Sequence, residues 1–248
     1  MSLVSIILPY FNKKEFIKDT INSILKQTYQ DFEIILIDDE LTSNSKEILD
    51  EIKNLDTRII VLKNSGNIGA GYSRNEGIKI AKGEFLAFCD CDDLWDKNKL
   101  NNQLKFMKNL NINASHTSYN IIDSFGKVIG KRKAISQLNY NDLLKSCDIG
   151  LSTVILKKKI LDNFIICFPN LKTKEDYVLW LKLSKKNVIF FGFEENLTNW
   201  RKLKNSLSSS ISQKIFDGYK VYRVYLNFSF LTSLIRLFIL SVNSILKK

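Results

Sequence analysis

From Val4 to Cys89, apolar runs alternate with amphipathic stretches. Val4 to Leu8 is an apolar run closed by Pro9, Tyr10, Phe11 and Asn12, which reads as a buried strand entering a turn. Ile17, Ile21, Ile24 and Leu25 recur at i, i+4, i+7 and i+8, the stripe of an amphipathic helix. Phe32 to Ile37 predicts a second buried strand ending in Asp38 and Asp39. Ile48, Leu49 and Ile52 mark a short helix, and Ile59 to Leu62 a third strand. After Gly66-Asn67-Ile68-Gly69-Ala70-Gly71 the pattern is helical through Ile78, Ile80 and Ala81, with Gly83 expected as the C-terminal glycine. Phe85 to Cys89 has the length and aromatic content of a strand buried on both faces. Four strands separated by three helices predict right-handed βαβ units in a parallel sheet, whose ligands lie beyond the carboxyl ends of the strands.

The polar groups at those ends carry the candidate chemistry. Asn12, Asp38 with Asp39, and Asp90 to Asp93 come from three chain segments to one edge. Alternate strand residues point the same way, so Asp90 and Asp92 converge on a common point if the extended backbone continues through Cys91. Like charges that close raise each other's pKa unless a cation compensates, and magnesium takes one or two carboxylates plus substrate phosphates. Asp93 and Asp96 read equally as members of that carboxylate cluster or as a solvated turn and the N-cap of the next helix. The glycine loop runs G-x-x-G-x-G and follows the third strand, so it is not a dinucleotide fingerprint. Arg74, one turn into the next helix, is available to a phosphate or lies on a solvated face.

Later patterns are weaker. Leu100, Leu104 and Met107 form a helical stripe. Ala114 to Ile122 alternates like a partly wet strand, with His116, Ser118 and Asn120 on one face and His116 as a structural residue. Ser124 to Lys127 reads as a hairpin turn, Lys131-Arg132-Lys133 as a solvated loop, and Gly150 to Leu156 as a strand carrying Ser152 and Thr153. Thr173 and Asp176 have capping-box spacing before a helix bearing Tyr177, Trp180 and Leu181. Spacing alone favours the cap, with a general base at Asp176 as the other reading. From Ile211 to Lys248 aromatic and basic residues interleave and Asp217 is the single acid; uncharged runs of 12 and 10 residues flank Arg236, too short for a spanning helix. The tail fits an interfacial helix pair on anionic lipid, or a helix pair packed on the core or across a dimer.

With 248 residues, 45% hydrophobic and 25% charged, the chain belongs among folded globular proteins and not disordered ones. Residues 1 to 100 hold 13 Lys or Arg against 17 Asp or Glu, and residues 101 to 248 hold 24 against 9, so the second half calls for anionic partners. Cys89, Cys91, Cys147 and Cys167 lack zinc-site spacing and are expected as reduced thiols. Met1 to Tyr10 has no basic leader region and reads as a strand, so a cytoplasmic location is expected, peripheral on the inner face of the membrane through residues 211–248.

In combination these motifs resemble glycosyltransferase family 2, the inverting nucleotide-sugar transferases of bacterial surface-polysaccharide assembly. Val4 to Asn12 resembles its opening strand; Ser23 to Tyr29 with Phe32 to Asp39 its second signature; and Asn67 to Gly69, Ser73 to Gly77 and Gly83 to Asp93 its third. The resemblance implies an α/β GT-A type Rossmann-like fold, with a mostly parallel central sheet flanked by helices and a C-terminal helical tail. It implies a catalytic domain over 1–210, with nucleotide-binding (1–96) and acceptor-binding (97–210) halves, and a basic tail over 211–248. Pro9, Tyr10, Asn12, Asp38 and Asp39 would hold the nucleoside, Arg74 and Arg201 the donor phosphates. Asp92 would be the manganese or magnesium ligand, with Asp90 beside it and nearer the ribose, and Asp176 of the Glu175-Asp176 pair would be the catalytic base. Asp93, Trp95, Ser152, Thr153, Glu175 and Trp180 are candidates for contacts to acceptor or donor sugar. The implied partners are a nucleotide-sugar donor, expected as a UDP-sugar, and a saccharide or lipid-linked acceptor; a homo-oligomer is compatible and nucleic acid is not expected.

Two departures stand out. Trp200-Arg201 with Asn205-Ser206-Leu207-Ser208 resembles the family's Y-R-x-H-x-x-S-x-S loop, but its His falls on Leu203; and the D-D-G-S-T-D run is Asp38-Asp39-Glu40-Leu41-Thr42-Ser43. Two rival classes remain. A sugar nucleotidyltransferase wants a glycine-rich loop where Pro9 to Asn12 stands, and a basic membrane or nucleic-acid adaptor leaves the aspartates unexplained.

Overall fold

The computed structural model describes residues 2–40, 42–203 and 210–246, the side chains of 43 and 44 excepted. The first half follows the hydrophobic pattern: β1 (Val4–Tyr10), α1 (Lys14–Leu25), β2 (Phe32–Asp38), α2 (Ser43–Lys53), β3 (Ile59–Lys63), α3 (Ala70–Ile80) and β4 (Phe85–Phe88). β1 lies between β2 and β4, with β3 outside β2, all parallel. Every residue of β1 and β2 is buried. Their side chains alternate between two cores, Ile7, Ile35 and Ile37 on one face and Val4, Ile6, Ile34 and Leu36 on the other. Full burial of each such side chain stabilises by about 1.5–3 kcal/mol. Gly83 is not a helix cap, because α3 ends at Ile80 and Ala81 is already extended. A Cβ there would sit 2.5 Å from Ser5 N, so the glycine serves close packing against β1.

Beyond Asp93 come β5 (Leu94–Trp95), α4 (Lys99–Asn109), β6 (Ala114–Ile122), β7 (Val128–Arg132), β8 (Gln137–Leu138), α5 (Tyr140–Leu143), β9 (Ile155–Lys157), α6 (Lys159–Phe164), α7 (Glu175–Lys185) and β10 (Phe190–Arg201). The sheet runs β3-β2-β1-β4-β9-β6-β10-β5, with β7 beside β6 and β8 beside β10. β9 is antiparallel to both β4 and β6, whereas β6 and β10 are parallel. The fold is of the expected α/β class, with its parallel portion concentrated in the first half.

Three local expectations change. Ala114 to Ser118 are buried, because β6 is flanked by β9 and β10; His116 meets the Ile135 carbonyl at 3.2 Å and burial pulls its pKa down to about 4. Lys131 and Arg132 belong to β7, a strand position that tolerates charge because it lies at an edge. Leu151 to Thr153 form a 3₁₀ turn, in which Thr153 Oγ1 donates to the Gly150 carbonyl at 2.6 Å, so the strand begins only at Ile155.

The C-terminal segment forms α8 (Ile211–Lys220), a π-helical turn over Val221–Tyr225 and α9 (Phe230–Leu246). Val221, Tyr222, Leu226 and Leu240 share the core of α7. The Tyr222 hydroxyl meets that of Tyr177 at 3.0 Å and donates to the Leu144 carbonyl at 3.0 Å. This segment is therefore built into the core around α7, and its removal would open that core. Among the described residues, no helix is long and apolar enough to cross a membrane.

Candidate active site

β4 ends at Phe88 and delivers Asp90 to the rim of the sheet. There the carboxylate meets a guanidinium from α3 at its back. Arg74 is 3% exposed; its Nη2 donates to Asp90 Oδ1 and its Nη1 to Glu175 Oε1, each at 2.7 Å. Burial alone would lower the guanidinium pKa, but Asp90 and Glu175 more than offset it and keep the charge on. The bridge joins residues 16 and 101 positions away in sequence and fixes the start of α7 against the strand end. A Cβ on Gly71 would lie 2.9 Å from the Pro169 carbonyl oxygen and 3.2 Å from Glu175 Cγ, so glycine lets α3 approach that start.

Asp176 is the next residue. Lys174, the N-cap of α7 two residues before it, is left-handed, with φ 64°, and supplies no side-chain cap. The capping box does not form, because Thr173 donates instead, from its N–H at 3.0 Å and its hydroxyl at 2.8 Å, to buried Asp217 of α8. Asp176 is left partly open to solvent and accepts from the Tyr177 N–H at 2.7 Å. Burial first, then the Glu175 charge, push its pKa up to about 7; Arg74 and the Tyr177 N–H oppose them.

Asp92 lies 3.1 Å from the Lys13 ammonium, with side-chain exposures of 17% and 22%. Burial and then Asp90 raise its pKa, against the pull of Lys13. Among the described residues no group of three His, Cys, Asp or Glu could hold a metal ion. The donor set fits a divalent cation that takes one or two carboxylates and fills its remaining positions with phosphate oxygens and water. The Lys13 ion pair supports that fit, since Asp92 already draws a positive charge.

Several expected contacts find their groups engaged elsewhere. Asp93 is buried, accepting from Ser152 Oγ at 2.6 Å and Arg201 N at 2.8 Å, and burial holds its pKa well above the ordinary range. Ser152 also receives Asp90 N at 3.0 Å, and its carbonyl receives Trp95 Nε1 at 3.0 Å. Trp95, Ser152 and Thr153 are all buried and form the floor beneath the aspartates, offering no open face to a sugar. Trp180 is fully buried, edge-on to Phe88 and Phe190, and is core. Arg201 does not reach outward: its Nε donates to the Asp92 carbonyl at 2.8 Å and its Nη1 to the carbonyls of Asp123 and Ser124. Arg74 is likewise buried, its Nη atoms paired with Asp90 and Glu175.

At the end of β2 the acids are also committed. Asp39 accepts from Asn64 Nδ2 at 2.7 Å and from the N–H groups of Ile68 and Gly69 at 2.9 Å, fixing the glycine loop. Asp38 accepts from Glu40 N and Ser45 Oγ. Pro9 and Tyr10 are buried, whereas Asn12 is exposed at the rim with φ 48°, its N–H donating to Glu40 at 2.9 Å. Asn205 to Ser208 lie outside the described residues. Lys13 and Asp217 were not among the expected site residues, and no spacing rule singles them out.

The family model for glycosyl transferase family 2 matches residues 5–163, more than half of the chain and all of the parallel strands β1 to β4 except the first residue of β1. The chain belongs to glycosyl transferase family 2. TuaG of Bacillus subtilis, named as a putative teichuronic acid biosynthesis glycosyltransferase, is 36% identical over 222 residues, covering 89% of this chain and 87% of that protein. WfaP of Escherichia coli, named as a UDP-Glc:alpha-D-GlcNAc-diphosphoundecaprenol beta-1,3-glucosyltransferase, is 42% identical over 188 residues, 76% of this chain and 72% of that protein. The crystal structure of S. aureus TarS 1-349 with UDP-GlcNAc matches at TM-score 0.74 and 22% identity, over 91% of this family 2 chain and 65% of that longer one. The mannosyltransferase PcManGT from Pyrobaculum calidifontis, in complex with GDP-Man and Mn2+, matches at TM-score 0.70 and 14% identity, over 91% and 64%. The fold is GT-A, and the protein is a glycosyltransferase. Family membership removes the nucleotidyltransferase and adaptor alternatives.

Proposed function

We propose that this protein transfers a hexose or N-acetylhexosamine from a UDP-sugar to a hydroxyl of a lipid-linked saccharide, with inversion at the anomeric carbon. The observation that carries the reading is the Arg74 bridge, which ties Asp90 at the sheet rim to Glu175 and so brings Asp176 into the field of Asp90. Asp176 removes the acceptor hydroxyl proton as that oxygen bonds to the anomeric carbon and the bond to the diphosphate breaks, releasing nucleoside diphosphate. Such proton removal contributes about 10² to 10⁴ in rate, and a base whose pKa is about 7 is suited to neutral pH. Asp92, with Asp90 beside it, would hold manganese or magnesium, which supplies positive charge to the departing diphosphate.

The remaining residues position. Arg201 and Ser152 fix the backbone on either side of the aspartates, and Asp38 and Asp39 hold the loops that frame the nucleoside, with Pro9 to Asn12 at its edge. The UDP and lipid-diphosphate assignments draw on the substrates in WfaP's name and the ligand of the TarS complex. The test is reaction of UDP-glucose and UDP-GlcNAc with a synthetic GlcNAc-diphospholipid, with and without manganese. Release of UDP and an inverted glycosidic bond by NMR are expected; a retained anomeric configuration or release of pyrophosphate would refute the single displacement.

A further inference from the structure

α9 buries a narrow side and leaves a broad apolar one uncovered. Ser233 and Leu240 are buried, and Leu237 packs on Gly218 of α8. Phe230, Leu231, Leu234, Ile235 and Phe238 are 41% to 70% exposed. At i, i+1, i+4, i+5 and i+8 these five residues share one helical face. The patch continues onto α8, where the Tyr219 ring lies 6.2 Å from Phe230 and Phe216 is 56% exposed. Lone surface hydrophobics are ordinary, but a contiguous aromatic and aliphatic face marks an interaction surface.

Charge decides between occupants. Residues 211–248 contain Lys214, Lys220, Arg223, Arg236, Lys247 and Lys248 against Asp217 alone. Asp217 is buried and engaged with Thr173, so it offers the face no carboxylate. Pairing this face with a second copy would bring like charges together, whereas an anionic surface complements it. An exposed apolar face on a helix too short to span, adjoined by Lys220 over the Phe216 ring and by Arg223 at the Phe228 carbonyl, has the features of a helix lying in the headgroup region.

We propose that the outer faces of α8 and α9 dock the protein on an anionic lipid bilayer. The docked unit is wired to the chemistry, because Asp217 of α8 holds Thr173 three residues before Asp176. A membrane under α8 and α9 thus lies on the same rigid element that positions the base. This inference rests on the proposed transfer only for the nature of the acceptor, since the docking itself follows from the face.

The test is flotation of the full chain with phosphatidylcholine vesicles and with vesicles containing phosphatidylglycerol, no donor or acceptor present. Three proteins are compared: wild type, Leu231→Ser with Phe238→Ser, and Lys220→Gln with Arg223→Gln. Wild type is expected to float with the anionic vesicles. The apolar pair should abolish flotation, and the basic pair should weaken it about fivefold for each charge on anionic vesicles alone. Melting temperature and UDP affinity by calorimetry should be unchanged in all three, which separates failure of docking from failure of the transferase reading. Equal flotation of the apolar pair and wild type would overturn the proposal. So would a wild-type dimer by light scattering that the apolar pair dissolves while neither protein floats, since the face would then belong to a second copy.

Discussion

Asp38 and Asp39 at the end of β2 and Asp90 and Asp92 beyond the end of β4 are both pairs of acids, yet they do different work. Asp38 and Asp39 are satisfied by neutral donors, the amides of Glu40, Ile68 and Gly69, the Asn64 side chain and the Ser45 hydroxyl, and their output is loop geometry. Asp90 and Asp92 are satisfied by the cations of Arg74 and Lys13. Carboxylates at a strand end identify a ligand edge, but the partner decides the role. Neutral donors use an acid as a scaffold, whereas mobile or bridging cations leave it able to exchange one positive charge for another.

Substitutions can break that contrast, beginning with the largest effect. Asp176→Asn should lower the transfer rate by about 10² to 10⁴ with little change in UDP affinity, as followed by UDP release. Because burial raises the Asp176 pKa from the ordinary 3.8 to about 7, its contribution to stability is complete below pH 3.8 and is lost as pH rises through 7. Asp176→Asn should therefore melt at a higher temperature than wild type above pH 7 and show no such gain near pH 3.

Arg74→Met strands two carboxylates and should cost roughly 3 kcal/mol in urea unfolding, the lower end for a buried pair because Asp90 remains partly open to water. Asp39→Ala leaves the Asn64, Ile68 and Gly69 donors unpaired and should cost about 1–3 kcal/mol, loosening the glycine loop in hydrogen exchange. The smallest change is expected from Lys13→Met. It removes a competitor for Asp92 and should tighten manganese binding about two- to fivefold by electron paramagnetic resonance, the scale of one partly exposed ion pair. Weaker metal binding in that variant would mean that Lys13 supports the site instead of competing for it.

The first half of the fold was legible because β1 and β2 are uniformly buried and their apolar runs have no other reading. β10 was not. Gly192, Glu194, Glu195 and Asn196 interrupt its run, and its pairing to β6 shifts register between Phe193 and Thr198, so no regular alternation survives in sequence. In the site, the D-x-D spacing and the Glu175-Asp176 pair were visible, but their connection through Arg74 spans 101 residues and is purely tertiary. The same holds for Thr173, whose local capping pattern lost to a pair of hydrogen bonds that it donates to Asp217, on a helix more than forty residues away. The resemblance assigns Arg201 and Arg74 to phosphate; what no spacing reveals is that Arg201 also donates to the carbonyls of Asp92 and Asp123 and that Arg74 pairs with Asp90 and Glu175.

The most direct measurement is the pH profile of sugar transfer under donor saturation, for wild type and Asp176→Asn. A base held at this rim gives a wild-type rate that climbs tenfold per pH unit to a midpoint near 7 and then levels, with that limb missing from the variant. A variant that keeps both the wild-type rate and the limb would place the proton acceptor elsewhere.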